Sequence, residues 1–328
     1  MELRNGKIAW AVRDRRIRNA GYRDVPEAAS SCGCIGGEFD PTPEMITAEA
    51  LIRAAAAGTV PGSVEAQILL PPGTGEEEFG RIVERTGKFA ASGNAAIGGI
   101  SAQCVTGVKR PVLSVRALPG KQSDAGVASG NKGTLPGPGT ALFAAGNAGE
   151  AGAAIAAASD EEALRGRFTK GLSDSMLMGL ERCLPSKQLL KEAAFIAENG
   201  GTVYAAGEGG IFAALYEMAL RWDTGFTVDL KRIPIRQETV EICEFYDLNP
   251  YQLYSTGMLL AAVPEETMEA LEFWRKDGGL SDEGFRFTKI GTLEKAPKKE
   301  IAGGEEIRFL EKPQQDMLRV LEDRKKLV

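Results

Sequence analysis

A strand, a glycine-rich turn and a helix are predicted to follow one another within residues 199–222. Residues 202–205 have the apolar character of a short strand, and the turn contains Glu208, Gly209 and Gly210. Beyond the turn, apolar residues recur at the i, i+3, i+4 spacing of a helix with one buried face. Such a turn presents backbone N–H groups at the positive end of a helix, where phosphate can bind. The alternative is that the glycines only permit a tight turn, and the local pattern alone favours this alternative.

Strands and helices alternate along most of the chain, an order typical of an α/β or α+β domain. We predict strands at residues 64–70, 95–101, 112–117, 223–230 and 253–262, and helices at residues 48–57, 74–91, 187–198 and 264–274. Residues 120–139 lack a hydrophobic period, which indicates a surface loop or a connection between two halves. The amphipathic tail at residues 314–327 is predicted to be a docked surface helix.

Histidine is absent from the sequence of 328 residues. General acid–base catalysis near neutral pH and many zinc or iron sites use histidine, so neither chemistry is available in its usual form. The pair Cys32 and Cys34 could indicate a redox or metal site. No second cysteine pair and no histidine complete a ligand set, so two unremarkable thiols are the favoured interpretation.

Charge and hydropathy limit the partners of the chain. The net charge of −6 argues against nucleic acid as the main partner, because binding to its backbone depends on clustered Lys and Arg. No run of about 18 apolar residues occurs, so neither a transmembrane helix nor a membrane partner is expected. Five cysteines and a start without an apolar signal segment favour a reducing, cytoplasmic setting.

Several short motifs occur in an order that is characteristic of one protein family. They are residues 69–73, Gly98-Gly99 and Arg110-Pro111-Val112 in the first half, and Glu208-Gly209-Gly210 with its helix, Val228-Asp229-Leu230, Ile233-Pro234-Ile235, residues 238–244 and Ser255-Thr256-Gly257 in the second. In these motifs the chain resembles the AIR synthase superfamily of ATP-binding proteins, and most closely the HypE-like proteins often called AIR synthase-related. The resemblance covers most of residues 40–290 and is more specific in the second half.

The resemblance implies a PurM-like α/β (α+β) fold of two domains. Residues 1–135 would form an α/β domain that dimerises with its twin, and residues 136–328 a domain with helices packed on a mixed sheet. In that family ATP lies between the domains, held by glycine-rich turns and by Mg²⁺ on aspartates. A homodimer with ATP and Mg²⁺ as cofactors is therefore implied. The implied site residues are Gly98, Gly99, Glu208, Gly209 and Gly210 for the nucleotide and Asp40 for the metal.

The chain departs from the family's pattern where the family binds metal and phosphate. Ile52 and Arg53 stand where an Asn-Asp pair is usual, Ala205 stands where an aspartate is usual, and residues 98–102 replace a Gly-Gly-His-Thr-Glu motif. Loss of one group that stabilises a transferring phosphoryl group typically costs about 3–4 kcal/mol. The HypE reaction, as the resemblance implies it, also uses a cysteine at the extreme C-terminus, whereas the last cysteine here is Cys243.

Two hypotheses of different class follow. The first is an ATP-dependent enzyme that performs phosphoryl transfer or dehydration, with Asp40, Glu208 and Asp229 as candidate residues. Its alternatives are that Glu208 only orders the turn and that Asp229 is a strand end facing solvent. The second is a catalytically degenerate homologue that acts as a dimeric binding or regulatory scaffold, which the missing Asp and His residues favour. Binding of another small anion, and completion of the site by a protein partner, are compatible with both.

Overall fold

The computed structural model describes residues 10–20, 29–120, 135–277, 287–313 and 315–326. Two sheets with helices packed against them make up this part of the chain. The predicted mixed α/β fold class is therefore confirmed. The predicted domain boundaries, 1–135 and 136–328, stay a prediction.

The first sheet has four strands. Its elements are α1 (Trp10–Asn19), β1 (Ser30–Cys34), α2 (Pro43–Ala56), β2 (Pro61–Leu70), α3 (Glu76–Ser92), β3 (Ala96–Cys104) and β4 (Val112–Pro119). The strand order is β1-β4-β2-β3, with β2 and β3 parallel and the other pairs antiparallel. Strands β1 and β3 are thus the opposite edges of this sheet.

The second sheet has seven strands in the order β11-β10-β7-β9-β5-β8-β6. These strands are β5 (Ala141–Ala145), β6 (Thr202–Ala205), β7 (Thr224–Asp229), β8 (Leu259–Val263), β9 (Thr288–Lys295), β10 (Lys299–Gly303) and β11 (Glu306–Phe309). The helices are α4 (Glu150–Ala158), α5 (Glu161–Arg167), α6 (Lys170–Leu177), α7 (Gly179–Arg182), α8 (Lys187–Glu198), α9 (Gly210–Trp222), α10 (Gln237–Tyr246), α11 (Glu265–Asp277) and α12 (Met317–Lys326). Only the pair of β7 and β10 is parallel among the described strand pairs of this sheet.

Helix α2 lies between the two sheets and is buried on almost every side. The Thr42 hydroxyl accepts a hydrogen bond from the Met45 N–H at 3.3 Å, and Pro43 suits the first turn, so the helix begins here. It packs against β4 on one side and against α8 and β6 on the other. Ile52, 1 % exposed, is one of its core residues, and each such side chain contributes about 1.5–3 kcal/mol. An apolar core that includes residues of both sheets therefore fixes the cleft between them.

The structure corrects several predicted elements. The predicted strand 253–262 contains a turn at Ser255 to Gly257, and β8 begins only at Leu259. Strands β1, β5, β10 and β11 were not predicted from the sequence. The predicted loop at 120–139 falls largely on residues 121–134, which lie outside the described residues. The predicted surface helix in the tail is α12, but Leu318 and Leu321 are about 5 % exposed or less, and the helix forms a wall of the cleft.

In the described part of the chain, no helix combines the length and the apolar character needed to cross a bilayer.

Candidate functional site

A cavity of about 720 Å³ lies where the two sheets meet. Its walls are formed by β1, the start of α2, the turn at Glu208, Tyr254 and residues 315–326. This volume falls within the range of small-molecule sites in proteins. The glycine-rich turn predicted from the sequence therefore faces a cavity large enough for a ligand such as a nucleotide.

The glycine-rich turn already holds an oxyanion, which comes from the chain itself. Gly209 and Gly210 have φ angles of +81° and +68°, a left-handed conformation that suits glycine. The Gly209 N–H donates to Asp316 Oδ2 at 2.6 Å, and the Leu318 N–H donates to Asp316 Oδ1 at 2.8 Å. The carboxylate of Asp316 thus lies where phosphate is expected at such a turn.

The Asp316 carboxylate is buried in a mixed electrostatic environment. Burial raises the pKa of this carboxyl to about 7, and repulsion from Glu208 acts in the same direction. The two backbone N–H donors and the positive charge of Arg319 lower the pKa and oppose that rise. The ionised form is therefore held at Gly209 against a desolvation penalty.

Asp40, the predicted metal residue, is paired with two arginines. Its Oδ2 lies 2.9 Å from Arg110 Nη1 and accepts a hydrogen bond from the Gly37 N–H at 2.9 Å. Its Oδ1 lies 3.7 Å from Arg319 Nη1 and has no hydrogen-bond partner. Two guanidinium groups at this carboxylate repel a divalent cation, so the arrangement does not fit a magnesium ligand.

Glu49 joins the first sheet's helix to the glycine-rich turn. Its carboxylate accepts hydrogen bonds from the Tyr254 hydroxyl at 3.1 Å, from the Ser31 hydroxyl at 3.3 Å and from the Arg53 guanidinium. Its Oε1 lies so close to Gly207 that a Cβ atom there would be 2.9 Å away. Arg53, which replaces an acidic residue of the family pattern, thus balances a carboxylate of this chain.

The structure does not bring all predicted site residues together. Glu208 lines the cavity and Gly209 faces Asp316, but Gly98 and Gly99 lie on β3, at the sheet edge opposite to β1. Asp229 lies at the end of β7, where Oδ1 accepts a hydrogen bond from the Lys231 N–H at 2.9 Å. This position agrees with the interpretation of Asp229 as a strand end.

The cysteines occupy separate places. Cys32 and Cys34 line the cavity from β1, whereas Cys104 ends β3 at the other edge of the sheet. All five cysteines are free thiols, and burial raises the pKa of Cys32. No cluster of three or more His, Cys, Asp or Glu side chains suited to a metal occurs within the described ranges.

Sequence reasoning gave no site role to four residues: Glu49, Asp316, Arg319 and Arg110, the last of which it named only as part of a family motif. An acidic residue before an amphipathic helix is a signal for a helix cap, and Asp316 does accept a hydrogen bond from the Leu318 N–H. Its second partner, Gly209, is 107 residues away, and no local pattern indicates that pairing.

The two sheets, the cleft between them and the glycine-rich turn at the start of α9 form a PurM-like fold. The sequence model of the family "AIR synthase related protein, C-terminal domain" matches residues 137–303, and the chain belongs to this family. The predicted relationship to the AIR synthase-related and HypE-like proteins is confirmed.

Individual relatives are similar to this chain to different extents. The carbamoyl dehydratase HypE of Rhizobium leguminosarum bv. viciae is 38% identical over 63 residues, which are 19% of this chain and 18% of that relative's length. HypE in complex with ATP has a TM-score of 0.69 at 17% identity, covering 90% of this chain and 87% of its own. HypE of E. coli has a TM-score of 0.67 at 16% identity, covering 98% and 94%. A thiamine-monophosphate kinase structure, AaThiL complexed with AMPPCP and TMP, has a TM-score of 0.62 at 15% identity, covering 93% and 98%. At these identities the structures show a shared fold.

Proposed function

We propose that this chain binds ATP or another phosphorylated small molecule in the cleft between its two sheets. The observation that carries the proposal is the Gly209 N–H, which donates at 2.6 Å to the carboxylate of Asp316, a residue of the cavity wall. The structures of HypE with ATP and of AaThiL with AMPPCP support nucleotide as the ligand class. Gly98 and Gly99 lie on β3, the edge of the first sheet opposite to β1, and would contact this ligand only from there.

We further propose that the protein works mainly as a binding or regulatory scaffold with weak or absent phosphoryl-transfer activity. Asp40 is held by Arg110 and Arg319, and Glu49 is held by Arg53. Carboxylates paired in this way neutralise arginine charges of the chain and are poor ligands for Mg²⁺. Ala205 has no metal-binding group where the family pattern has an aspartate.

An ATP-dependent enzyme is the second candidate function. Glu208 lies on the wall of the cavity beside the turn, and one curated relative is a carbamoyl dehydratase. Magnesium as cofactor would require Asp40 to give up its contacts with the two arginines. A protein partner that completes the site is also compatible with the HypE–HypF complex. The cytoplasmic location stays a prediction.

Titration calorimetry with ATP, with and without Mg²⁺, separates the two candidates. We expect binding of similar affinity in both conditions and no release of ADP, because Asp40 and Glu49 are paired with arginines and are poor ligands for Mg²⁺. Binding that requires Mg²⁺ and is followed by ADP release would favour the enzyme. No heat at millimolar nucleotide would overturn ATP as the ligand.

The homodimer is proposed to form through β3. This strand is an edge of its sheet, and Ile97 and Ile100 on it are each 38% exposed. An exposed edge strand with apolar side chains can pair with the same strand of a second copy. The predicted dimer therefore has a specific surface that can be tested.

The variant Ile100→Lys is expected to convert the dimer to a monomer, because a charge would be buried at the paired edge. Ile307→Lys is the matched control, since Ile307 is 65% exposed on β11 of the other sheet. Light scattering after gel filtration measures the mass of each protein. A monomeric wild type, or loss of the dimer only with Ile307→Lys, would contradict the proposed interface.

A further inference from the structure

We propose that Asp316 is an internal competitor at the glycine-rich turn, so that a ligand oxyanion binds at Gly209 only by replacing the Asp316 carboxylate. This inference rests on the proposed function of the cleft. It adds a regulatory contact: the segment that precedes α12 keeps the cleft in a state with reduced affinity for its ligand.

The geometry of the contact makes the competition direct. The bond from the Gly209 N–H to Asp316 Oδ2 is 2.6 Å long, and the residue is 4 % exposed. A phosphate oxygen that accepted the same N–H would overlap the Asp316 carboxylate. The two oxyanions therefore exclude each other at this donor.

The Asp316 carboxylate is bound by the surrounding structure, but a ligand oxyanion can replace it. The Leu318 N–H donates to Asp316 Oδ1 at 2.8 Å, which links the carboxylate to the first turn of α12. Leu318 and Leu321 fix the helix in an apolar cluster that also contains Phe39 and Ile155. Withdrawal of the Asp316 side chain breaks two hydrogen bonds and leaves this apolar contact in place.

Electrostatics favours replacement of the Asp316 carboxylate by a ligand group that carries more negative charge. Burial and the nearby Glu208 raise the pKa of Asp316 to about 7, so near neutral pH the environment opposes ionisation of this side chain. A phosphate ligand carries more charge than a carboxylate, and Arg110, which is 43% exposed, lines the same cavity as a second cationic group. Arg319, three residues after Asp316, lies 3.7 Å from Asp40, so movement of this turn also changes the surroundings of Asp40.

Full-length Asp316→Ala and Asp316→Asn test the inference by calorimetry with ATP. When the competent state is a minor one, apparent affinity is reduced by its population, so removal of the competitor should tighten ATP binding by about tenfold or more. Asp316→Asn keeps the shape of the side chain and removes its charge. It replaces the alanine variant in the test if that variant does not fold. The control is Glu311→Gln, which removes a charge five residues before Asp316 at an exposed side chain that does not line the cavity. Its effect should be much smaller because solvent screens that charge.

Hydrogen exchange of the wild type gives an independent measurement. Addition of ATP should speed exchange of the Leu318 amide, because its acceptor on Asp316 moves away. ATP binding that is equal in all four proteins, with unchanged exchange at Leu318, would overturn the inference and leave the proposed function intact. Absence of binding in every protein would overturn the proposed function and the inference with it.

Discussion

The variant Gly257→Ala is expected to lose more than about 4 kcal/mol of folding free energy, a large part of the roughly 5–15 kcal/mol that stabilises a typical domain. Gly257 has a φ angle of +89°, and a Cβ atom there would lie 1.7 Å from the carbonyl oxygen of Cys183. The atoms of Cys183 that the new Cβ would meet belong to the backbone, so no side-chain rotation can relieve the overlap. Soluble yield and circular dichroism under urea measure the effect.

The control for this prediction is Gly171→Ala. Gly171 is an exposed helical residue of α6, and a Cβ atom there would contact nothing within 4 Å. This substitution should stabilise the protein by about 0.4–1 kcal/mol, because it restricts the unfolded chain. A Gly257→Ala protein as stable as the wild type would show that the turn before β8 can take another conformation.

The variant Glu49→Ala is expected to destabilise the protein by about 3 kcal/mol. Its carboxylate is 9% exposed and accepts hydrogen bonds from Ser31, Arg53 and Tyr254. Removal takes away the carboxylate that accepts from both Arg53 and the Tyr254 hydroxyl, and Arg53 keeps its bond to the Ser30 carbonyl oxygen. Equilibrium unfolding in urea measures the change, and a lower ATP affinity is expected because the walls of the cleft lose a shared contact.

Glu44→Ala on the same helix provides the comparison. Glu44 pairs with Arg85 at 2.7 Å, but their side chains are 23% and 49% exposed, so the expected change is about 1 kcal/mol or less. The double variant Glu49→Ala with Arg53→Met should recover part of the lost stability, since the charge that Glu49 balanced is then removed as well. Equal losses for Glu44→Ala and Glu49→Ala would contradict the importance assigned to the buried network.

Local sequence patterns predict the elements that surround the glycine-rich turn. The strand at 202–205 and the helix that follows agree with β6 and α9 because their apolar periodicity is regular and glycines separate them. Helix α8 matches its predicted range because Ser186 caps it, accepting a hydrogen bond from the Leu189 N–H at 3.1 Å. Such signals depend on neighbours within a few residues.

Other elements carry weak or misleading local signals. Strand β1 has the sequence Ser-Ser-Cys-Gly-Cys, which lacks β-branched and aromatic residues, and pairing with β4 makes it a strand. Strand β5 lies in an alanine-rich run that also suits a helix, and it becomes a strand between β8 and β9. Tertiary pairing decides both cases.

The site was harder to predict than the fold because its contacts join distant parts of the chain. The sequence indicates an oxyanion turn at Gly209 but does not indicate that Asp316, 107 residues later, occupies it. The contact of Glu49 with Tyr254 spans 205 residues. Compared with the family pattern, Ile52 and Arg53 are positions where polar or acidic residues are lost. In the structure Arg53 balances the charge of Glu49, and Ile52 is a core residue.

These long-range contacts also determine when the cleft can form during synthesis. The ribosome releases β1 to β4 and α2 well before Tyr254 and Asp316, and N-terminal parts of a chain generally fold first. Until Tyr254 emerges, Glu49 has only Ser31 and Arg53 of its three hydrogen-bond partners. Among the described elements helix α12 emerges last, so the cleft gains this wall after the others have been synthesised. A nascent chain that stalls before residue 315 would present the glycine-rich turn to cellular anions without its internal carboxylate.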